Sequence, residues 1–144
     1  MTHKILVRAQ LVNTRIADCF AKLSDHAQFL QLSGIRCTLI KTGSPEPNGL
    51  GAIRRVRGLG LILTEEIIEF SAPKTYSYCI QSVSWFGVPL PIRHKAGSIR
   101  LRKLGADVEV VWESEFSAPS AWLERRLGQL FAGLFRRLLA RASG

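Results

Sequence analysis

Asn48-Gly-Leu-Gly-Ala-Ile-Arg-Arg-Val-Arg57, Thr64-Glu-Glu-Ile-Ile-Glu-Phe70 and Ala72-Pro-Lys-Thr-Tyr-Ser-Tyr78 follow one another with only short breaks. A Gly-rich turn opens the first run and a Pro-Lys turn opens the last, so the three read as successive strands. Strands in sequence with tight links pair antiparallel, as a meander. Outward from this core, strands are predicted over 52–57, 61–71, 74–83, 95–103 and 107–116. Upstream, Ile5, Val7, Ala9 and Leu11 alternate with Lys4, Arg8 and Gln10, which predicts a half-buried first strand over 4–12. A further strand is expected over 35–42, followed by a loop over 43–51 rich in Gly, Pro and Asn.

Between the first two strands the pattern becomes helical. Ile16, Cys19, Phe20 and Leu23 recur at helical spacing after Asn13 or Thr14 as cap, and Ser24-Asp25 reads as the cap of a short second helix ending near Leu32. At the C-terminus, Ser117 is a candidate cap and Pro119 suits a first helical turn. Beyond it Leu123, Leu127, Leu130, Phe131, Leu134, Phe135 and Leu138 form a broad apolar stripe, with Arg125, Arg126, Arg136 and Arg137 mostly off it. That stripe must be covered, and the concave face of the sheet is the surface available to it. The expected class is α+β, in the order β-α-α-β-β-β-β-β-β-α. The run Trp85-Phe-Gly-Val-Pro-Leu-Pro-Ile92 is apolar, but its prolines discourage pairing, so it reads as a loop that packs down or lies at a cavity mouth.

Length and composition bound the rest. A chain of 144 residues with 47% hydrophobic and 22% charged residues is read as one domain over 1–144, with no linker-like stretch. Without a signal-like start or an 18-residue apolar run, a cytoplasmic location is expected. Cys19, Cys37 and Cys79 lie far apart and read as reduced thiols. The net charge of +9 reads first as a solvated basic surface. No nucleic acid is expected as partner. Membrane contact through the arginines of the last helix is the minority reading, and a homodimer is compatible with the sequence. No metal or cofactor is expected, because Cys and His do not cluster and the Gly49-Leu-Gly51 and Gly58-Leu-Gly60 runs lack phosphate-binding spacing.

Alternation along the strands suggests what faces inward. Tyr76, Tyr78 and Ile80 share one face, as do Ile99 with Leu101, and Val108, Val110, Trp112, Ser114 and Phe116. On the 61–71 strand the face Ile62, Thr64, Glu66, Ile68, Phe70 carries one charge against two on the other, and is taken as the inner one. Glu66 is then a carboxylate among apolar groups, with Arg55 on the neighbouring strand as its natural partner. The lining so expected is Arg55, Glu66, Tyr78, Ile80, Ile99, Leu101, Trp112, Phe116, Leu127 and Phe131, an apolar wall with one polar anchor, as small-molecule pockets have.

Leu23-Ser-Asp-His26, Gly49-Leu-Gly-Ala-Ile-Arg-Arg55, Thr64-Glu-Glu-Ile67, Pro73-Lys-Thr-Tyr-Ser-Tyr78 and Val111-Trp-Glu113, in this order of elements, resemble the START-like (SRPBCC) superfamily, in its polyketide cyclase/dehydrase and lipid-transport branch. The resemblance implies a helix-grip fold. In it about seven antiparallel strands wrap the last helix and leave a deep apolar cavity for lipids, polyketides or similar ligands. It implies no single reaction and no transferable catalytic motif.

The expected function is therefore binding of a hydrophobic or amphipathic small molecule. The alternative is a cyclase or dehydratase using the same cavity. In that case Glu66, with a pKa raised by burial, or the hydroxyl of Tyr78 would serve as acid or base. Each also has a structural reading, Glu66 as an ion-pair partner and Tyr78 as core. His26 and His94 have no sequence-adjacent nucleophile or metal partner, so both are minor candidates.

Overall fold

Strict alternation of apolar and charged residues builds the long strands at one edge of the sheet. The computed structural model describes residues 2–143. In it β1 (His3–Leu11) leads to α1 (Ile16–Ser24) and α2 (His26–Phe29), then β2 (Ile35–Lys41), β3 (Ile53–Gly58), β4 (Leu61–Ser71) and β5 (Thr75–Trp85). A short β6 (Val88–Pro89), then β7 (Arg93–Leu104), β8 (Asp107–Ser117) and α3 (Ala121–Ser143) complete the chain. The strands form one antiparallel sheet in the order β1-β8-β7-β5-β4-β3-β2, with β6 paired to β5. The sheet therefore has eight strands. The eighth is the apolar 85–92 segment, where Phe86-Gly87 turns the chain and lets Val88 and Pro89 pair with Trp85 and Ser84. Proline is tolerated there because β6 is a two-residue edge strand.

The helix ends differ from those expected. Arg15 precedes α1 without a side-chain cap, and α2 is a single turn that stops at Phe29. For α3 the cap is Ser120, whose hydroxyl accepts the Leu123 N–H at 3.1 Å, so Pro119 lies just outside the helix.

α3 crosses the concave face and packs along β1. Its Phe135 stacks on Trp112 of β8 with centroids 3.8 Å apart, and Phe131 meets Phe116 edge-on at 6.0 Å. Phe29 of α2 also packs against Trp112. These rings, with the buried Leu138, Leu139 and Ala142 further along, hold α3 to the sheet. Ile99, Val108, Val110 and Trp112 are buried, while Glu109 and Glu113 pair outside with Arg102 and Lys4, as the alternation requires.

On β4 the inner face is the other one. Leu61, Leu63, Glu65 and Ile67 are buried, and Ile68 is 48% exposed. Both faces of β4 carry large apolar residues, so hydrophobicity does not choose between them. The charge count misleads because the pairing with β5 shifts between Ile67 and Glu69. That irregularity turns Glu69 outward and brings Phe70 back to the core. One glutamate, Glu65, is left inside. On β3 the inward basic residue is Arg54, directly opposite Glu65 in register, and Arg55 faces out.

Candidate functional site

The chamber between α3 and the sheet is lined by the inward residues of β3, β4, β5, β7 and β8, with Phe131, Leu134 and Phe135 of α3 as its roof. Its volume is about 90 Å³. Small-molecule pockets commonly span about 300–1,000 Å³. The aromatic stack between Trp112 and Phe135 draws the helix close to the sheet, so the chamber is a narrow slot and falls short of a deep cavity.

Of the residues expected to line it, Tyr78, Ile80, Trp112, Phe116 and Phe131 do so. Ile99 and Leu101 are in the packed core under α1, and Leu127 packs against the core beside the slot. Arg55 and Glu66 lie outside it, because the inward positions of β3 and β4 are taken by Arg54 and Glu65. Glu66 accepts a hydrogen bond from Gln81 at 2.8 Å on the outer surface.

The polar wall consists of Arg54, Glu65, His94, Ser114 and Tyr78. Arg54 is 1% exposed and its Nε and Nη2 both donate to Glu65 Oε1, each at 2.7 Å. Its Nη1 donates to Nδ1 of His26 at 2.9 Å, and the His26 Nε2–H donates to the Asn48 carbonyl at 2.9 Å. Both imidazole nitrogens are thus committed and His26 is neutral. Burial, then the adjacent Arg54 charge, lower its pKa to about 3. Burial also works against the Arg54 charge, but Glu65 and the surrounding tyrosines outweigh it and hold the guanidinium protonated. Glu65 Oε2 receives no hydrogen-bond donor among the described residues.

Arg54 also lies 4.7 Å from the centroid of Tyr78, whose other neighbour, the His94 ring, is nearly parallel at 5.5 Å. The ladder between β5 and β7 stops at Tyr78 and Gly97. Past that point the strands part, and the freed N–H of Ile80 donates to His94 Nδ1 at 3.0 Å. A backbone N–H can only donate, so the proton of His94 sits on Nε2 and is given to Ser114 Oγ at 2.8 Å. The pair therefore cannot act as nucleophile and base, because the imidazole has no lone pair to take the serine proton. Burial first, then Arg54, lower the His94 pKa to about 4.

The Tyr78 hydroxyl accepts from Trp112 Nε1 at 2.9 Å. Burial, then the Glu65 carboxylate, raise its pKa against the pull of Arg54, so the phenol keeps its proton. Neither that proton nor the Ser114 hydroxyl proton has an acceptor among the described residues. An apolar slot thus holds two uncommitted donors and one uncommitted carboxylate oxygen. Gly97 is what allows the arrangement, since a Cβ there would fall 2.2 Å from Tyr78 Cζ. Gly97→Ala is expected to displace the ring and lower stability by about 1–3 kcal/mol. Urea unfolding, with the near-ultraviolet dichroism of the aromatic cluster, checks this.

The family model for polyketide cyclase/dehydrase and lipid transport matches residues 4–143. The chain belongs to this family. Among solved structures, a START superfamily protein from Mycobacterium smegmatis superposes with a TM-score of 0.70 at 10% identity, covering 97% of this chain and 93% of that one. A protein from Thermobifida fusca gives a TM-score of 0.72 at 21% identity over 97% and 90%, and Ara h 8.0201 gives 0.69 at 13% over 99% and 98%. At these identities the likeness establishes the fold. No curated protein matches the sequence significantly.

Proposed function

We propose that this family member binds a small amphipathic molecule in the slot, its apolar body against Leu63, Val83, Phe131 and Leu134 and its polar end at Glu65, Tyr78 and Ser114. The observation that carries the reading is the unused hydrogen-bonding capacity of those three groups in an otherwise apolar wall. Every fully buried side-chain polar atom among the described residues has a partner, so what these three groups offer is a second hydrogen bond each, on the face they turn to the slot. With about 90 Å³ available, binding anything larger than a short chain requires α3 to move away from β4 and β5. The helix rests mainly on β1, so the slot side is the one free to open.

Thermal unfolding against a panel of fatty alcohols, fatty acids and flat polyphenols tests this. A ligand at one hundred times its Kd adds about 2.7 kcal/mol of stability. The expected result is a rise in Tm with at least one class, abolished by Leu134→Trp, which fills the slot from the helix side. A panel without effect on the wild-type protein sinks the reading.

A second reading, a cyclase or dehydratase, is favoured by the protonated Tyr78 phenol standing near the Glu65 carboxylate, an acid and a base on the wall of one apolar slot. Glu65→Gln, compared at a temperature where it is folded because it weakens the Arg54 pair, separates the two: a binding protein loses only the affinity of one contact, whereas an enzyme loses far more turnover than affinity.

A further inference from the structure

The antiparallel registers gather several chain segments at one end of the sheet. Gly58 pairs with Ile35, Leu61 with Trp85 and Arg93 with Ser117, so the β3–β4 turn, the β5–β6 turn and the start of α3 lie together. Leu59, Trp85, Phe86, Val88 and Trp122 are all at this end, and each is more than half exposed.

The two turns share an unusual build. Leu59 and Gly60 have φ of 57° and 82°, and Phe86 and Gly87 have 48° and 82°. Turns with two positive φ values favour Asn, Asp or Gly at the first position, because a larger side chain crowds the backbone there. Here both first positions hold a large apolar residue aimed at solvent. The turns also interlock: the Phe86 N–H donates to the Gly60 carbonyl at 2.8 Å, and a Cβ at Gly60 would fall 2.5 Å from the Phe86 ring. Trp85 packs edge-on against Phe86 with centroids 5.1 Å apart. The apolar tips are therefore one fixed platform.

Arginines surround it. Arg36 and Arg57 face each other across β2 and β3, a like-charge pair that a sheet ordinarily avoids. Arg93 opens β7, and Arg125 and Arg126 follow Trp122 on α3, with Arg126 5.7 Å from the Trp122 ring. None of these five arginines has a carboxylate partner among the described residues. The acids at this end are engaged elsewhere, Glu115 with Lys95 and Thr2, and Glu124 buried against the Ala118 N–H.

We propose that this end of the molecule docks on an anionic lipid bilayer. The tips of Leu59, Phe86 and Val88 enter the acyl boundary, Trp85 and Trp122 sit at headgroup depth, and the arginines meet the lipid phosphates. Phosphate alone, as on a nucleic acid, gives the aliphatic tips nothing to bind. Gly58 and Leu59 also line the slot, so docking turns its mouth toward the lipid.

Flotation of the intact protein with phosphatidylcholine vesicles, and with the same vesicles containing phosphatidylglycerol, tests the docking without any ligand. Association with the anionic vesicles and its loss in high salt are expected. Trp85→Ser/Phe86→Ser should weaken it at least about tenfold, and each of Arg125→Gln and Arg126→Gln about fivefold, at about 1 kcal/mol per arginine. Arg136→Gln/Arg137→Gln, further along α3, should leave it unchanged. All these positions are exposed, so an unchanged Tm verifies that each variant folds. Equal binding to neutral vesicles, no binding to either, or indifference to the Trp85/Phe86 variant overturns the proposal. So does a concentration-dependent dimer, or nucleic-acid retention, that the same variant abolishes. Failure of the slot to take a ligand leaves this result untouched.

Discussion

Arg54→Met is expected to lower stability by about 3–5 kcal/mol, the largest loss we foresee from one substitution. The change removes the partner of Glu65, which is 6% exposed and takes both of its Oε1 hydrogen bonds from Arg54. It also leaves His26 Nδ1 without a donor and withdraws the cation beneath the Tyr78 ring. The loss comes from the charge left behind rather than from any large net contribution of the pair, since desolvating two ions offsets most of their attraction. The double variant Arg54→Met/Glu65→Leu should accordingly recover most of the stability. The two residues stand opposite each other on β3 and β4, so the new side chains can pack together. Recovery should stop about 1 kcal/mol short, because His26 Nδ1 remains unsatisfied. Urea unfolding at pH 7 of wild type, single and double variants measures this coupling. A single variant within about 1 kcal/mol of wild type would show that Glu65 is solvated in the fold and that the polar wall is not as described.

Why a chain should keep an ion pair of modest net value in its interior is answered by what else the pair positions. Arg54 fixes the tautomer of His26 and stacks on Tyr78, and Tyr78 bonds Trp112, which anchors α3 through Phe135. A line of contacts thus runs from the α2 turn through the slot wall to the helix above it. Movement of α3 to admit a ligand would act first on the Trp112–Phe135 stack, while the Arg54 cluster beneath stays held by α2, β3, β4 and β5.

Apart from β6, the order of elements was legible in the sequence, as were the inner faces of β8 and of the first half of β5. Alternation is unbroken in β8, with Glu109, Glu113 and Glu115 set against Val108, Val110, Trp112, Ser114 and Phe116, and in β5 it holds as far as Ile80, before the register shift that brings Val83 inward. β4 was not, because its faces are equally apolar and its register shifts beyond Ile67. The same kind of shift hid His94. Pairing with β8 slips between His94 and Ala96, which brings His94 to the face of Gly97, Ile99 and Leu101 although simple alternation points it outward. His26 gave no local signal, since its partner Arg54 is brought to it from 28 residues away. Gly97 did carry one: a glycine inside a long strand marks a close approach, here by Tyr78. Helix-cap patterns placed the start of α2 at Asp25 but set the caps of α1 and α3 up to three residues early, because several residues able to cap stand before each helix and only Ser120 makes the bond.

Lowering the pH from 7 to 5 is expected to cost the protein about 3–4 kcal/mol, before its exposed carboxylates begin to titrate. His26 and His94 are neutral in the fold, with pKa lowered from 6.5 to about 3 and about 4. In the unfolded chain each takes up a proton below about pH 6.5. Between these limits the unfolded state binds more protons than the folded one, so stability falls as pH falls, by about 1.4 kcal/mol per pH unit for each fully displaced histidine. At pH 5 that is about 2 kcal/mol from His26, which is wholly buried, and somewhat less from the partly buried His94. The groups facing them hold this state: Arg54 repels a proton from both rings, and the Asn48 carbonyl and Ser114 hydroxyl each need only the one Nε2–H already given. Lys4, Glu113 and Glu115 pair on the outer surface, where the lowered carboxylate pKa values act below the histidine window. Urea unfolding at pH 7.5, 6 and 5 should trace the slope, and His26→Gln should start lower but flatten it by about half. A stability that is level from pH 7 to 5 in the wild-type protein, or His26 and His94 resonances that titrate near 6.5, would mean that both rings reach water and that the polar wall is open to solvent.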